Sequence, residues 1–331
     1  MLSSRCISRN ETIIPSLLKQ HDAVLSGSAS TIDLSTADNW HVKEIVLDLL
    51  REMQGDNTEN QICDPGDGIL IATPYWAGLD ISLSIHGQTK VIPVHVPLSE
   101  FFTPESIRYY ESAAESSPVP IKAVLRLDLH YISDEVYALS AHKPAPEGFV
   151  PFVSILEMCE AKMIKKTHII YSISKDFGCS GIRVGALITQ NEPVRLSAAL
   201  SLHSQVSSLS TSFASKVLEE ESITTICDHG GKQLKVAYEV MTSFFETHRI
   251  EYISGGYGMF VFARLCPVKT FEEEQRLLGH IRSNGVSLSS GTSYHFKELG
   301  WFRLCYGVTL DQLDEALKRV HRGVCDHLNV A

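Results

Sequence analysis

A lysine in the middle of the chain has the setting of an amine that reacts with a carbonyl group. Lys175 follows an apolar run at 168–173, with Ser172 and Ser174 beside it and Arg183 eight residues later among glycines. A lysine amine attacks a carbonyl only after losing its proton, which a desolvated or cationic site favours. Arg183 offers a cationic field and a fork of donors that matches a phosphate. These residues predict a Schiff base beside a phosphate site.

The string around this lysine is more specific than the lysine and arginine alone, which are usually solvated charges. Residues 172–185 have the pattern S-x-S-K-D-x-G-x-x-G-x-R-x-G. This pattern resembles the cofactor-lysine signature of class I and II pyridoxal-phosphate (PLP) enzymes, especially the 1-aminocyclopropane-1-carboxylate-synthase-like branch of fungal type. The resemblance implies that PLP is the cofactor and that Lys175 bonds it and moves the substrate α-proton. It also implies that Ser172, Ser174 and Arg183 hold the phosphate.

Two further candidates follow an apolar run upstream. Asp134 comes directly after residues 129–133, and Tyr137 stands three positions later. In the resembling family, an acid at this place keeps the pyridine nitrogen protonated, so that the ring acts as an electron sink. The resemblance therefore implies that Asp134 is the pyridinium partner and that Tyr137 donates its hydroxyl to the phenolic oxygen. Taken alone, D-x-x-Y at a strand end is more often a capping Asp beside a core Tyr.

An aromatic and a cationic residue extend the resemblance. T-P-Y-W-A-G at 73–78 resembles the family's turn whose aromatic side chain stacks on the pyridine ring of the cofactor. The resemblance gives this stacking role to Trp76. The alternative is that Trp76 is an ordinary packing residue. G-W-F-R-L-C-Y at 300–306 resembles the strand that carries the arginine for the substrate α-carboxylate, here Arg303. An arginine in an apolar strand needs an anionic partner, because burying it unpaired is costly. A structural Asp or Glu is the alternative partner.

A weaker match lies near the N-terminus. A-D-N at 37–39 resembles the A-E-N segment that enters the active site in the synthase-like branch, with Asp38 where those proteins carry Glu. Asp38 is therefore a candidate catalytic residue. Asp38 or Asn39 would equally cap the helix that follows. Both interpretations stay open.

The composition is that of a soluble protein with a large core. Of the 331 residues, 44% are hydrophobic and 21% are charged, and the net charge is -10. The acidic balance argues against nucleic-acid binding, and the sequence contains neither a membrane-length apolar run nor a signal-peptide core. We therefore expect a cytoplasmic protein. The eight cysteines are scattered without a C-x-x-C pair, and the histidines lack metal-type spacing, which predicts reduced thiols and no metal site.

Apolar runs alternate with helical patterns, which predicts an α/β fold whose sheet is mostly parallel and flanked by helices. Strands are predicted at 68–72, 91–96, 121–127, 129–133, 168–173, 185–189, 258–265 and 301–306. Helices are predicted at 42–53, 191–220, 230–247, 270–283 and 310–327. The resemblance implies aminotransferase fold-type I and a homodimer. Its parts would be an N-terminal arm (1–40), a large PLP-binding domain (41–205) and a smaller α+β C-terminal domain (206–331).

Two segments of the family have no counterpart in this chain. Residues 121–127 run into 129–133, although adjacent parallel strands need a connection of roughly a dozen residues. These runs therefore form one long strand, or a strand and a displaced segment, where the family has an N-P-x-N-P-x-G loop and a helix. The second gap, between residues 53 and 62, lacks the glycine turn at a helix N-terminus that binds the phosphate.

The sequence supports two hypotheses about function. The first is a PLP-dependent enzyme acting on an amino acid or a 2-oxo acid. It would catalyse transamination, or elimination at the β or γ carbon, as synthase-like and carbon-sulfur-lyase-like members do, some of them in secondary-metabolite pathways. The second is a catalytically impaired or truncated member that survives as a binding or dimerisation module, which the two gaps favour. The sequence does not choose among the reactions.

Overall fold

Three sheets position the candidate residues. The computed structural model describes residues 32–33, 62–123, 129–142, 152–161, 163–202, 206–253 and 255–330. The predicted helix at 42–53 and Asp38 lie outside these ranges, as does the N-terminal arm apart from strand β1 (Ile32–Asp33).

The first sheet is wholly parallel and consists of β2 (Gly68–Thr73), β3 (Lys90–His95) and β4 (Ile121–Ala123), in the order β3-β2-β4. The apolar residues of β2 and β3 pack against α1 (Ile107–Glu115). A run of apolar residues with little polar alternation is typical of such a parallel strand. A π-helix (Asp80–His86) lies between β2 and β3.

The second sheet contains β5 (Tyr131–Asp134), β6 (Thr167–Ser172) and β7 (Gly185–Thr189). β5 runs parallel to β6, whereas β7 is antiparallel to it. The short helices α2 (Ile155–Met158) and α3 (Ile173–Asp176) precede and follow β6.

The expectation that the runs at 121–127 and 129–133 are not adjacent parallel strands is confirmed. β4 pairs with β2 and β5 pairs with β6, in separate sheets. One backbone hydrogen bond, from the amide of His130 to the carbonyl of Lys122 at 3.0 Å, connects the two regions. The predicted mostly parallel sheet is thus divided in two, because the chain has no crossover helix at this point.

The prediction of a single helix over 191–220 is wrong, and so is the predicted start of the next helix at residue 230. The structure has α4 (Glu192–Leu202) and α5 (Ser208–Val217), and the side chain of Ser207 caps α5 by accepting from the Ser210 amide at 3.0 Å. The next helix, α6 (Glu220–His248), runs through Gly230 and Gly231. A Cβ on Gly231 would lie 3.1 Å from the carbonyl oxygen of Ala141, so glycine serves a close approach and not a helix end.

The C-terminal sheet is antiparallel, in the order β11-β12-β9-β8. Its strands are β8 (Glu251–Tyr252), β9 (Phe260–Arg264), β11 (Ser289–Ser290) and β12 (Trp301–Cys305), while β10 (Val286–Ser287) pairs with β1. Helix α6 packs here with α7 (Phe271–Ser283) and α8 (Leu310–Val330). The buried apolar side chains of α8 follow helical spacing, as a helix with one apolar face requires: Leu313, Ala316, Leu317 and Val320.

Within the described ranges, seven cysteines are free thiols, of which Cys179, Cys266 and Cys305 are buried. Their free state agrees with the prediction that the cysteines are reduced thiols. In the same part of the chain, no helix is both long and apolar enough to cross a membrane. No group of three or more His, Cys, Asp or Glu residues could hold a metal ion among the residues described.

Candidate active site

Lys175 lies just beyond the carboxyl end of β6, in the short helix α3. Ser172 caps this helix, since its Oγ accepts a hydrogen bond from the amide of Ser174 at 3.0 Å. The two serine Oγ atoms lie 2.6 Å apart. On either side of Lys175, the side chains of Ile173 and Phe177 are buried in an apolar cluster. The half-buried lysine is therefore carried on a short helix that is anchored in the core.

Asp134 ends β5 and stands beside Ile170 of β6 in the parallel register. It therefore lies at the same sheet edge as Lys175. Its side chain is open to solvent on one side, yet the protein atoms around the carboxyl group raise its pKa above the ordinary value. The amide of Val136 and the nearby charge of Lys175 act in the opposite direction on this pKa. Asp134 and Lys175 are thus within electrostatic reach of each other.

Tyr137 connects this edge to the C-terminal sheet. Its ring packs edge-on against Phe260, with centroids 5.6 Å apart. The guanidinium of Arg303 lies 5.1 Å from the ring centroid of Phe260 and 5.1 Å from that of Tyr294. Burial raises the pKa of Tyr137, and the charge of Arg303 opposes that rise, whereas the charge of Asp134 adds to it. The structure therefore brings Asp134, Tyr137 and Arg303 into one neighbourhood with Lys175.

Trp76 and Arg183 are both exposed, whereas Lys175, Tyr137 and Arg303 are half-buried. Trp76 exposes 61% of its surface, and its indole folds over Gly78, where a Cβ would lie 2.3 Å from the ring. Arg183 donates from Nη1 to the carbonyl of Ser180 at 2.9 Å. Its backbone is left-handed, with φ 60°. Both predicted cofactor residues thus lie at the surface of the protein.

The site also contains a cluster that sequence reasoning missed. The hydroxyl of Tyr75 donates to Asp80 at 2.7 Å, and Nε2 of His295 donates to the other oxygen of Asp80 at 2.7 Å. The amide of Tyr75 also donates to the carbonyl of Tyr294 at 3.2 Å. Tyr75 stands in the motif T-P-Y-W-A-G with Trp76, and Asp80 follows that motif by two residues, which was an available signal. No sequence motif marked His295 as a site residue, because it lies far from Tyr75 and Asp80 along the chain.

Asp176 was also missed. It is 5% exposed and accepts hydrogen bonds from the amide of Leu139 at 3.0 Å, from the hydroxyl of Tyr171 at 2.9 Å and from Oγ of Ser140. Burial raises the pKa of its carboxyl group, and these donors oppose the rise. Its position directly after Lys175 in the motif was the available signal.

The fold is that of solved aminotransferases. The aspartate aminotransferase of Thermotoga maritima superposes with a TM-score of 0.72 and 18% sequence identity, covering 99% of this chain and 100% of that chain. At this identity the likeness establishes the fold, and it confirms the predicted aminotransferase fold-type I.

Relatives at higher identity extend the likeness to sequence. A probable aminotransferase, tcpI, of Claviceps purpurea is 38% identical, covering 97% of this chain and 95% of that protein. That alignment spans 404 residues, more than the 331 of this chain, so it opens gaps here, in agreement with the missing internal segments. A probable inactive 1-aminocyclopropane-1-carboxylate synthase-like protein 2 of Mus musculus is 31% identical, covering 80% of this chain and 52% of that protein.

A family model for class I and II aminotransferases matches residues 120–320. The matched range contains Asp134, Tyr137, Lys175 and Arg303. The chain therefore belongs to the class I and II aminotransferase family.

Proposed function

We propose that this chain binds PLP through Lys175 and acts on an amino acid or a 2-oxo acid. The observation that carries the proposal is the common neighbourhood of Asp134, Tyr137, Lys175 and Arg303, which come from distant parts of the sequence. Members of the class I and II aminotransferase family generally depend on PLP, which supports the same cofactor here.

The available side chains suit each polar part of PLP. A carboxylate (Asp134) suits the protonated pyridine nitrogen, and a phenol (Tyr137) suits the phenolic oxygen. The amine of Lys175 suits the aldehyde. Two hydroxyls and a guanidinium suit the phosphate: Ser172, Ser174 and Arg183. When bound, PLP supplies an electron sink for the bond that breaks at the substrate α-carbon.

The residues of the chain then have separate tasks. Burial raises the pKa of Tyr137, so its hydroxyl remains a protonated hydrogen-bond donor over a wider pH range than an exposed phenol. Lys175 moves the proton at the α-carbon of the substrate. Arg303 binds the substrate carboxylate, and the rings of Phe260 and Tyr294 limit the directions in which its guanidinium can point. Trp76 would offer its exposed indole to the cofactor ring.

The binding step can be tested without turnover. Purified protein is mixed with PLP and reduced with borohydride, and the pyridoxyl-labelled peptide is identified by mass spectrometry. We expect one label, on Lys175, in the wild type and none in Lys175→Ala. Lys165→Ala, which changes an exposed lysine, is the matched control and should label like the wild type. An unlabelled wild type at saturating PLP, or labels spread over surface lysines, contradicts the proposal.

A second candidate is a family member that binds PLP without turnover. Two observations favour it: residues Gly185, Ala186 and Ile188 of β7 are exposed, and the alignment with the fungal relative opens gaps in this chain. Protein that is loaded with PLP but not reduced is therefore assayed with a panel of amino acids and 2-oxo acids for ketone, ammonia and thiol release, while a second sample is reduced and labelled. Release of any product favours the enzyme and identifies transamination or elimination, whereas label without product favours the binding module.

A further inference from the structure

The buried carboxylate of Asp176 takes no part in the proposed chemistry, yet three hydrogen-bond donors converge on it. The donors are the amide of Leu139 at 3.0 Å, the hydroxyl of Tyr171 at 2.9 Å and the hydroxyl of Ser140. Burying a carboxylate is costly unless hydrogen bonds compensate for the lost water. A buried carboxylate with three donors therefore fixes the relative positions of the segments that supply them.

Two of these donors lie on the segment that carries the candidate cofactor acid and phenol. Residues 134–140 begin with Asp134 and form a tight turn around Tyr137, whose carbonyl accepts from the amide of Ser140 at 3.1 Å. The third donor, Tyr171, lies on β6, the strand that leads into the helix with Lys175. The carboxylate of Asp176 therefore joins the lysine helix to the turn that contains Tyr137.

The other end of this segment is attached to the C-terminal part of the chain. The carbonyl of Ser140 accepts from the amide of Gly258 at 3.1 Å, and the amide of His142 donates to the carbonyl of Gly256 at 3.0 Å. These bonds hold the segment near the sheet of Arg303. The hydrogen bonds from Leu139 and Ser140 to Asp176 hold this segment against α3, the helix that carries Lys175.

We infer that Asp176 is a positioning residue that sets the placement of the Lys175 amine relative to Asp134 and Tyr137. The inference rests on the proposed function, since it concerns how that site is assembled. A misplacement of about 1 Å in a catalytic site can cost about 100-fold in rate, so even one lost hydrogen bond at this junction has a measurable effect.

Two variants separate positioning from general stabilisation. Ser140→Ala and Tyr171→Phe each remove one hydroxyl donor to Asp176, but only Ser140 lies on the segment with Asp134 and Tyr137. The first readout is the pH titration of the absorbance band of the PLP-bound protein, which reports the surroundings of the cofactor and not turnover. The second readout is steady-state kinetics, in which the effects of each variant on kcat and on KM are determined separately. Ser140→Thr, which keeps a hydroxyl, is the rescue variant.

We expect Ser140→Ala to shift the midpoint of the band titration and to lower kcat about tenfold or more with little change in KM. Tyr171→Phe should keep the wild-type midpoint, and Ser140→Thr should restore it. Equal shifts in Ser140→Ala and Tyr171→Phe, or no shift in either, overturn the inference. Normal labelling of Lys175 in all variants with no shift refutes only the inference, whereas an unlabelled wild type refutes the proposed function and the inference with it.

Discussion

The phenol ring of Tyr75 stacks on the imidazole of His295, with ring centroids 4.7 Å apart and planes 20° from parallel. Asp80 accepts a hydrogen bond from each of them. The contact joins the turn that carries Trp76 to the short helix Gly291–Tyr294 beside Arg303. Two parts of the candidate site that are far apart in sequence are thus attached to each other.

Asp80→Asn should lower the free energy of unfolding by about 1 kcal/mol, because an amide cannot accept both hydrogen bonds as a carboxylate does. The partial exposure of Asp80 and His295 limits the effect. Asp314→Asn is the control, since it breaks an exposed ion pair with Lys318 on α8 and should have a smaller effect, because solvent screens exposed pairs. Urea denaturation of both variants measures the difference. Equal losses would mean that the stacked contact adds no stability.

Stability should fall as the pH drops from about 6.5 to about 4, because of His168. This fully buried imidazole lies 2.8 Å from Nδ1 of His130 and 2.8 Å from Oγ1 of Thr189. Burial, with a smaller contribution from His130, lowers its pKa from 6.5 to about 4. The unfolded chain therefore binds a proton in this interval that the folded chain does not. The resulting loss at pH 5 is on the order of 1 to 2 kcal/mol relative to pH 7.5.

The measurement is chemical denaturation at both pH values. His168→Gln should reduce the pH dependence, because glutamine has no group that titrates in this interval. The rest of the dependence comes from other groups, such as His95, His321 and His327, whose pKa values burial also lowers. His229→Gln, which replaces an exposed histidine, should keep the wild-type dependence. A wild type whose stability is the same at pH 5 and pH 7.5 would contradict the assignment.

Gly300→Ala should destabilise the protein by about 3 kcal/mol or more, or prevent folding. Gly300 has φ +84°, and a Cβ there would lie 2.1 Å from the backbone oxygen of Cys266. Gly279→Ala is the control, because this helical glycine has nothing within 4 Å of the added carbon. That substitution should stabilise α7 by about 0.5 to 1 kcal/mol. The prediction is that Gly300→Ala melts below the wild type and Gly279→Ala above it. A Gly300→Ala variant that melts like the wild type would refute it.

Arg183→Gly should stabilise the fold and weaken PLP binding at once. Arg183 and Arg249 are both exposed arginines with left-handed backbone, at φ 60° and φ 54°, each following a helical segment. Replacing either with glycine relieves about 1 kcal/mol of backbone strain. Only Arg183 has a proposed phosphate role, so only Arg183→Gly should lower PLP affinity, by about tenfold or more. Titration with PLP distinguishes the pair, and equal affinities would remove Arg183 from the phosphate site.

Local patterns predicted the elements around Lys175 well. Strand β7 was predicted at its observed bounds, and the apolar run before the lysine is β6, displaced by one residue. The final helix begins where its periodicity begins, at Leu310. Each of these elements follows from hydrophobic spacing over neighbouring residues. Where one segment alone determines the structure, the sequence was sufficient.

The remaining features depend on contacts between distant segments. The helix predicted from residue 230 begins ten residues earlier and runs through Gly231, whose close approach to the carbonyl of Ala141 no local pattern indicates. His295 reaches Asp80 only because the C-terminal sheet brings it there, and no local signal marks such a pair. The division of the chain at residues 40 and 205 stays a prediction, as do the roles of the candidate site residues.

The largest buried apolar cluster lies entirely in the C-terminal part, between Leu234 and Val320, and encloses β9 and β12. Lys175 rests on a smaller cluster, and the outer strand β7 is largely exposed. Local opening is easiest where few apolar contacts are buried. Amides of β12 should therefore exchange with deuterium later than those of β5 and β7. Mild denaturant would then separate Lys175 from Arg303 while the C-terminal half stays folded, so loss of the site would precede loss of the fold.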